Sequence, residues 1–158
     1  MLSHHHVETQ EDVTPVNKLD LEILRAQAAP GIRDLLKKLW ARMPGILAAQ
    51  VCTVDGFEVA ALEADTQSQR RLAAMVSSIH ALGSAIVTET QLGVYTNLVL
   101  EASEGKALMM SVPGFSGQLL LAAIGSREPL FGHFHAACKA CCEELRVLIS
   151  NRVVACDP

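Results

Sequence analysis

At 158 residues the chain has length for one hydrophobic core, and its make-up, 50% hydrophobic, 19% charged and 4% aromatic, excludes wholesale disorder, which goes with low hydrophobicity and high charge. The 13 Lys and Arg against 17 Asp and Glu leave a formal charge of -4 without any dense basic run, which argues against nucleic acid or an anionic membrane as a partner. Apolar stretches such as Leu119 to Ile124 fall far short of the roughly 20 residues that span a bilayer, so no membrane insertion is expected and a soluble cytoplasmic protein is. Five Cys, an odd number with no export signal, are read as reduced thiols rather than a disulfide framework.

Residues 1–17 are polar and lack periodicity, so they are expected to form an N-terminal arm; its run His4, His5, His6 is not taken as a metal site. Lys18 to Ala28 predicts a short helix that Pro30-Gly31 breaks. The main domain is expected over residues 31–152, with a short tail at 153–158. It begins with Ile32, Leu35, Leu36, Leu39 and Met43 on one helical face, opposite Arg33, Asp34, Lys37, Lys38 and Arg42, and that helix stops at Pro44-Gly45. Ile46 to Thr53 and Phe57 to Leu62 read as two strands of a hairpin, because Asp55-Gly56 supplies the positive φ its turn needs.

Thr66 with Gln69 three residues on has capping-box spacing, which predicts a long helix from there to about Thr90. Three strands follow, Val94 to Ala102, Ala107 to Val112 and Gln118 to Ile124, separated by the turn-forming stretches Ser103-Glu104-Gly105 and Pro113 to Gly117. Pro129 suits a first helical turn, and Phe134, Cys138, Cys141, Leu145 and Leu148 mark one face of a closing helix. The order helix, two strands, helix, three strands, helix predicts an α+β fold: one five-stranded antiparallel sheet flanked by helices, with no room for a doubly wound nucleotide fold.

The chemistry-bearing residues point away from catalysis. Gly105-Lys106 lacks both the leading glycine and the hydroxyl of a P-loop. Cys138, Cys141 and Cys142 resemble a zinc half-site, yet no second pair stands at ligand spacing and His133 and His135 diverge on a helix, so no metal is expected. Glu143 and Glu144 would raise a neighbouring thiol pKa, which disfavours a catalytic Cys. Ser116 lies in a strand-to-strand turn rather than a nucleophile elbow. His80 reads as a packed or interface histidine rather than a general base. No enzyme activity and no cofactor are expected.

The informative feature is that Ala73 to Thr88 (AAMVSSIHALGSAIVT) contains no charge. Leu72, Met75, Val76, Ile79, Gly83 and Ile86 form an arc suited to the sheet, and the opposite arc is Ala73, Ala74, Ser77, Ala81, Ser84, Ala85 and Thr88. Small residues admit a second backbone closely, so that arc is expected to meet the same helix of a symmetry mate.

Met43-Pro44-Gly45-Ile46, Val54-Asp55-Gly56-Phe57-Glu58-Val59-Ala60, Arg71-Leu72-Ala73-Ala74-Met75, Ala81-Leu82-Gly83 and Leu119-Leu120-Leu121 together resemble the Roadblock dynein light chain domain family over Ile32 to Ile149. That resemblance implies a sandwich related to profilin and longin folds. It also implies a homodimer in which third strands join edge to edge and long helices pair, taking Ala74, Ser77, Ala81, Ser84, Ala85, Tyr95 and Asn97 as interface. It further implies a non-enzymatic regulator or scaffold for a Ras-like small GTPase, with Gln67, Arg70, Arg71, Ser78 and His80 as the expected contact. A small-molecule or signal-sensing module is the alternative, since sheets of this size flanked by helices also build sensory domains.

Overall fold

In the computed structural model, residues 18–62, 66–115 and 118–153 are described. The N-terminal arm with its histidine run, the cap formed by the Thr66 side chain, the Ser116 turn and residues 154–158 of the C-terminal tail lie outside the described residues, while Val153 belongs to the last helix. The elements are α1 (Lys18–Arg42), β1 (Ile46–Thr53), β2 (Glu58–Leu62), α2 (Thr66–Glu89), β3 (Asn97–Ala102), β4 (Gly105–Ser111), β5 (Leu119–Ser126) and α3 (Phe131–Val153). The strands form one antiparallel sheet in the order β2-β1-β5-β4-β3, which leaves β2 and β3 as its edges.

α1 corrects the expected break at Pro30-Gly31, since one helix runs through both residues. An internal proline removes a backbone hydrogen bond and costs about 3 kcal/mol. Opposing that loss is an unbroken row of buried side chains, Leu21, Leu24, Ala28, Ile32, Leu35, Leu36 and Leu39, while Pro30 itself lies on the exposed side. Gly31 serves packing rather than termination: a Cβ there would stand 3.0 Å from Leu148 Cδ1 of α3, so its absence lets the two helices close together.

α1 and α3 cover one face of the sheet. Their side chains merge with Val51, Leu108, Leu119 and Leu121 into the main core, which also takes Phe134, Cys138, Cys141, Cys142, Leu145 and Ile149. α2 covers part of the other face, with Ala73 and Val76 over Cys52, Met109, Leu120 and Ala122. α2 is long and apolar enough to cross a membrane by length and composition, but here it lies against the sheet.

The hairpin forms as its turn residues dictate. Gly56 has φ +86°, the Thr53 N–H donates to the Phe57 carbonyl at 2.8 Å, and the Phe57 N–H donates to Thr53 Oγ1 at 3.1 Å. β3 begins three residues later than its apolar run suggests. Tyr95 lays its ring against α2 where Gly83 has no side chain, a Cβ there falling 2.8 Å from Tyr95 Cε2, and this holds Val94 to Thr96 off the sheet ladder.

Candidate functional site

α2 presents a surface unlike the one its alternation suggests. Ala73, expected to face outward, is fully buried over the sheet, and Ser77 turns inward to donate from Oγ to the Val54 carbonyl. Met75 and Ile86, expected on the sheet, are instead 54% and 53% exposed, and Leu82 is 64% exposed. The interface arc is therefore corrected: Ala74, Ala81 and Ala85 do face outward, but they share a stripe with Met75, Leu82 and Ile86 rather than forming a purely small face. The physical reason is that Met109 and Leu120 of the sheet lie beneath Ala73, and Tyr95 and Leu98 crowd Gly83, so small residues fit on this side and large ones are displaced outward. The signal was present in the sequence, since Met75, Leu82 and Ile86 stand at i, i+7 and i+11, a recurrence that shares one helical face.

Beside this stripe lies the unpaired edge of β3. Val99 and Leu100 on it are substantially exposed, as are Leu92 and Val94 on the approach to it. An apolar edge strand with open N–H and C=O groups is a template for pairing with another chain. Both the helix stripe and the strand edge are apolar surfaces of a kind that monomers seldom leave exposed.

Between α2 and the start of β3, His80 and Tyr95 meet edge to face with ring centroids 4.7 Å apart. His80 Nδ1 and the Tyr95 hydroxyl are shielded from solvent without a hydrogen-bond partner among the described residues. Burial lowers the His80 pKa and raises that of Tyr95, because it disfavours each charged form. His80, expected on an exposed flank, is thus half-buried. Asn97, at the first position of β3, has Nδ2 3.0 Å from His135 Nε2 and so ties the edge strand to α3. Ser84 is half-buried.

The expected partner contacts divide between two places. Arg71 and Ser78 are exposed along the stripe, the Ser78 hydroxyl donating to the Ala74 carbonyl at 2.9 Å, and Gln67 is exposed at the start of α2. Arg70 instead faces a cleft of about 670 Å³ between α1, the β1–β2 hairpin and α2, which Arg25, Arg33 and Phe57 also line. Sequence reasoning missed Arg25, Arg33 and Phe57, which lie far apart in the chain and meet only through the packing of α1 on β2.

The thiols behave as small core residues. Cys52 is pushed up to about 12 by burial and then by Glu58; Cys138 and Cys141 are also pushed up to about 12, chiefly by burial, and Cys142 is raised for the same first cause. A thiol held protonated is a poor nucleophile and a poor metal ligand. Among the described residues no group of His, Cys, Asp and Glu is placed to hold a metal ion. An apolar recess of about 230 Å³ on the α2 side of the sheet is lined by Ala48, Ala61, Leu62, Leu72 and Ile124. Its buried amide, Gln50, is engaged with α2, donating to the Gln69 carbonyl at 3.2 Å and accepting from the Ala73 N–H at 3.0 Å.

The Roadblock/LC7 domain family matches residues 32–122 of the chain. Among solved structures, MglB of Myxococcus xanthus superposes with a TM-score of 0.71 at 13% identity, covering 79% of this chain and 99% of that one. The gliding protein MglB of Thermus thermophilus gives 0.68 at 15% identity, with 78% and 91% covered. A Roadblock/LC7 domain of Streptomyces avermitilis gives 0.66 at 19% identity, with 72% and 92% covered. At these identities the likeness shows the fold alone. No curated protein matches in sequence.

Proposed function

Since the chain belongs to the Roadblock/LC7 domain family, we propose that it is a non-enzymatic, cytoplasmic homodimeric regulator or scaffold that binds a Ras-like small GTPase. The observation that carries this reading is the exposed apolar stripe of α2, Met75, Leu82 and Ile86, beside the unpaired edge of β3. Pairing two β3 edges would satisfy their open backbone groups, and it would bring the two α2 stripes together with Ala74, Ala81 and Ala85 allowing close approach. Tyr95, Asn97 and Ser84 would lie at or near that interface, while Ser77, turned inward to the Val54 carbonyl, takes no part in it. Self-association has a precedent in a solved MglB in a tetrameric arrangement, similar to this chain with a TM-score of 0.69 at 16% identity and 78% and 91% coverage.

The GTPase follows from the family resemblance together with the helical surface that paired α2 helices would offer. Gln67, Arg71 and Ser78 are the exposed members of the contact that the resemblance implies, whereas Arg70 faces the neighbouring cleft and His80 is half-buried against Tyr95, and two-fold symmetry permits one GTPase across the axis or two flanking it. Stimulation of hydrolysis would come from ordering the partner's own groups or from an arginine, an effect of about 10³–10⁵ where an arginine finger operates. Calorimetry against the cell's Ras-like GTPases, loaded with a non-hydrolysable GTP analogue and with GDP, tests the proposal. Binding to the GTP-analogue form is expected, and failure of every GTPase to bind in either state refutes it. Arg70→Ala with Arg71→Ala separates a finger, which loses stimulation and keeps binding, from a scaffold, which shows no stimulation to lose.

A further inference from the structure

The cleft between α1, the β1–β2 hairpin and the start of α2 carries an unbalanced charge. Arg25 and Arg33 reach it from α1 and Arg70 from α2, against one acidic lining residue, Glu58. Arg25 is held on the hairpin by donating from Nε and Nη2 to the Glu58 carbonyl, with Nε at 2.8 Å. The Nη1–Nη2 edge of its fork stays open for a carboxylate. Among the described residues no carboxylate pairs with Arg25, Arg33 or Arg70, and Asp34, next to Arg33 in the chain, is taken up by Lys37 at 3.7 Å. Phe57, 53% exposed, adds an apolar wall, and the volume of about 670 Å³ admits something much larger than a single ion.

We propose that this cleft docks an extended acidic segment of a partner protein, one with carboxylates four residues apart and an apolar side chain midway between them. Arg25 and Arg33 stand two turns apart on α1, about 12 Å at the helical rise, and Arg25 is anchored, so the cations offer separate points instead of converging on one small anion. Residues i and i+4 of an extended chain lie about 13 Å apart on one face, with i+2 between them on the same face. Such a segment sets its two carboxylates against Arg25 and Arg33, each open to a two-pronged pair, leaves its middle side chain to Phe57, and takes a further bond from Arg70 on the opposite wall. Because the chain carries a formal charge of -4, its surface as a whole repels an acidic segment and the cleft fixes where one can seat. The lining takes no residue from the α2 stripe or the β3 edge, so both clefts of a homodimer stay open. The site therefore does not rest on the GTPase reading: it gives each subunit a second, independent attachment point.

The test is a ¹⁵N–¹H correlation titration of the full chain with the peptide acetyl-Glu-Ala-Leu-Ala-Glu-amide in about 0.01 M and about 1 M salt, between which the screening length falls from about 30 Å to about 3 Å. At low salt the Gly56, Phe57 and Arg70 amide resonances should shift saturably with a dissociation constant of about 1 mM or tighter, and high salt should weaken binding at least about tenfold. The same peptide with Gln at both ends, and inorganic phosphate, should each bind at least about tenfold more weakly than the acidic peptide. R33Q with R70Q should cost a similar factor, and R33E with R70E should abolish binding. Of the two peptides in which one Glu is exchanged for Lys, at least one should bind the R33E, R70E protein more tightly than it binds wild type, a reversal that a misfolded variant cannot produce. No saturable shift at these amides up to about 10 mM peptide would overturn the proposal. So would equal binding of the Gln peptide, phosphate binding as tight as the acidic peptide, affinity unchanged by the arginine substitutions, or failure of both mixed peptides to prefer the R33E, R70E protein.

Discussion

Replacing Leu82 by Asp should dissociate the proposed homodimer while leaving each subunit folded. Leu82 is 64% exposed and takes no part in either core cluster. Fully burying a leucine is worth about 2 kcal/mol, so the fraction still exposed could contribute about 1.3 kcal/mol per copy on association and about 2.5 kcal/mol for the pair. That alone is about 60-fold in the dissociation constant, the effect expected of Leu82→Ala. An aspartate also forces two carboxylates out of water near the two-fold axis, adding several kcal/mol, so Leu82→Asp should be monomeric at every micromolar concentration. Val76→Asp is the internal control: Val76 is one turn and a half away on the same helix but 2% exposed beneath it, so it should lose the fold instead. Sedimentation equilibrium gives the association constant and far-UV circular dichroism the fold. A Leu82→Asp protein that associates as tightly as wild type would refute the reasoning, as would a wild-type monomer.

Gly105→Ala should lower the melting temperature by about 5–10 °C in calorimetry, a loss of about 2–3 kcal/mol, because its Cβ would lie 2.3 Å from the Gly125 carbonyl oxygen of the neighbouring strand. Gly132→Ala, at the start of α3 where a Cβ meets nothing within 4 Å, should instead gain about 0.4–1 kcal/mol by the same measurement. His80 has a folded pKa lowered by burial, so the unfolded chain takes up its proton first. Stability should therefore decline as pH drops below about 6.5 toward the folded value, and His80→Gln should flatten that part of a melting-temperature profile. The thiols of Cys52, Cys138, Cys141 and Cys142 are buried, so in a Cys156→Ser background a disulfide reagent at neutral pH should label them only as fast as the chain opens, with rapid labelling of any of these four counting against it.

Periodicity, turn chemistry and element order fixed the architecture before any packing was known. Asp55-Gly56 could hardly be anything but a turn, and a helix between a hairpin and three short strands leaves few ways to build one sheet. These are local properties, carried by residues close in sequence. Pro30 and Gly31 show where locality misleads: in isolation they read as a stop, yet a buried row on both sides and the approach of Leu148 carry α1 through. The charge-free run of α2 announced an unusual surface, but which arc faced out depended on the side chains beneath it. Only the sheet decides that Ala73 and Gly83 point inward and Met75, Leu82 and Ile86 outward, because space between packed layers is a property of both partners. The arginine cleft was wholly hidden from the sequence, since Arg25, Phe57 and Arg70 come from three elements and share no local pattern. Sequence records what each segment can do alone, whereas adjacency across the fold exists only once the hydrophobic faces have been buried against one another.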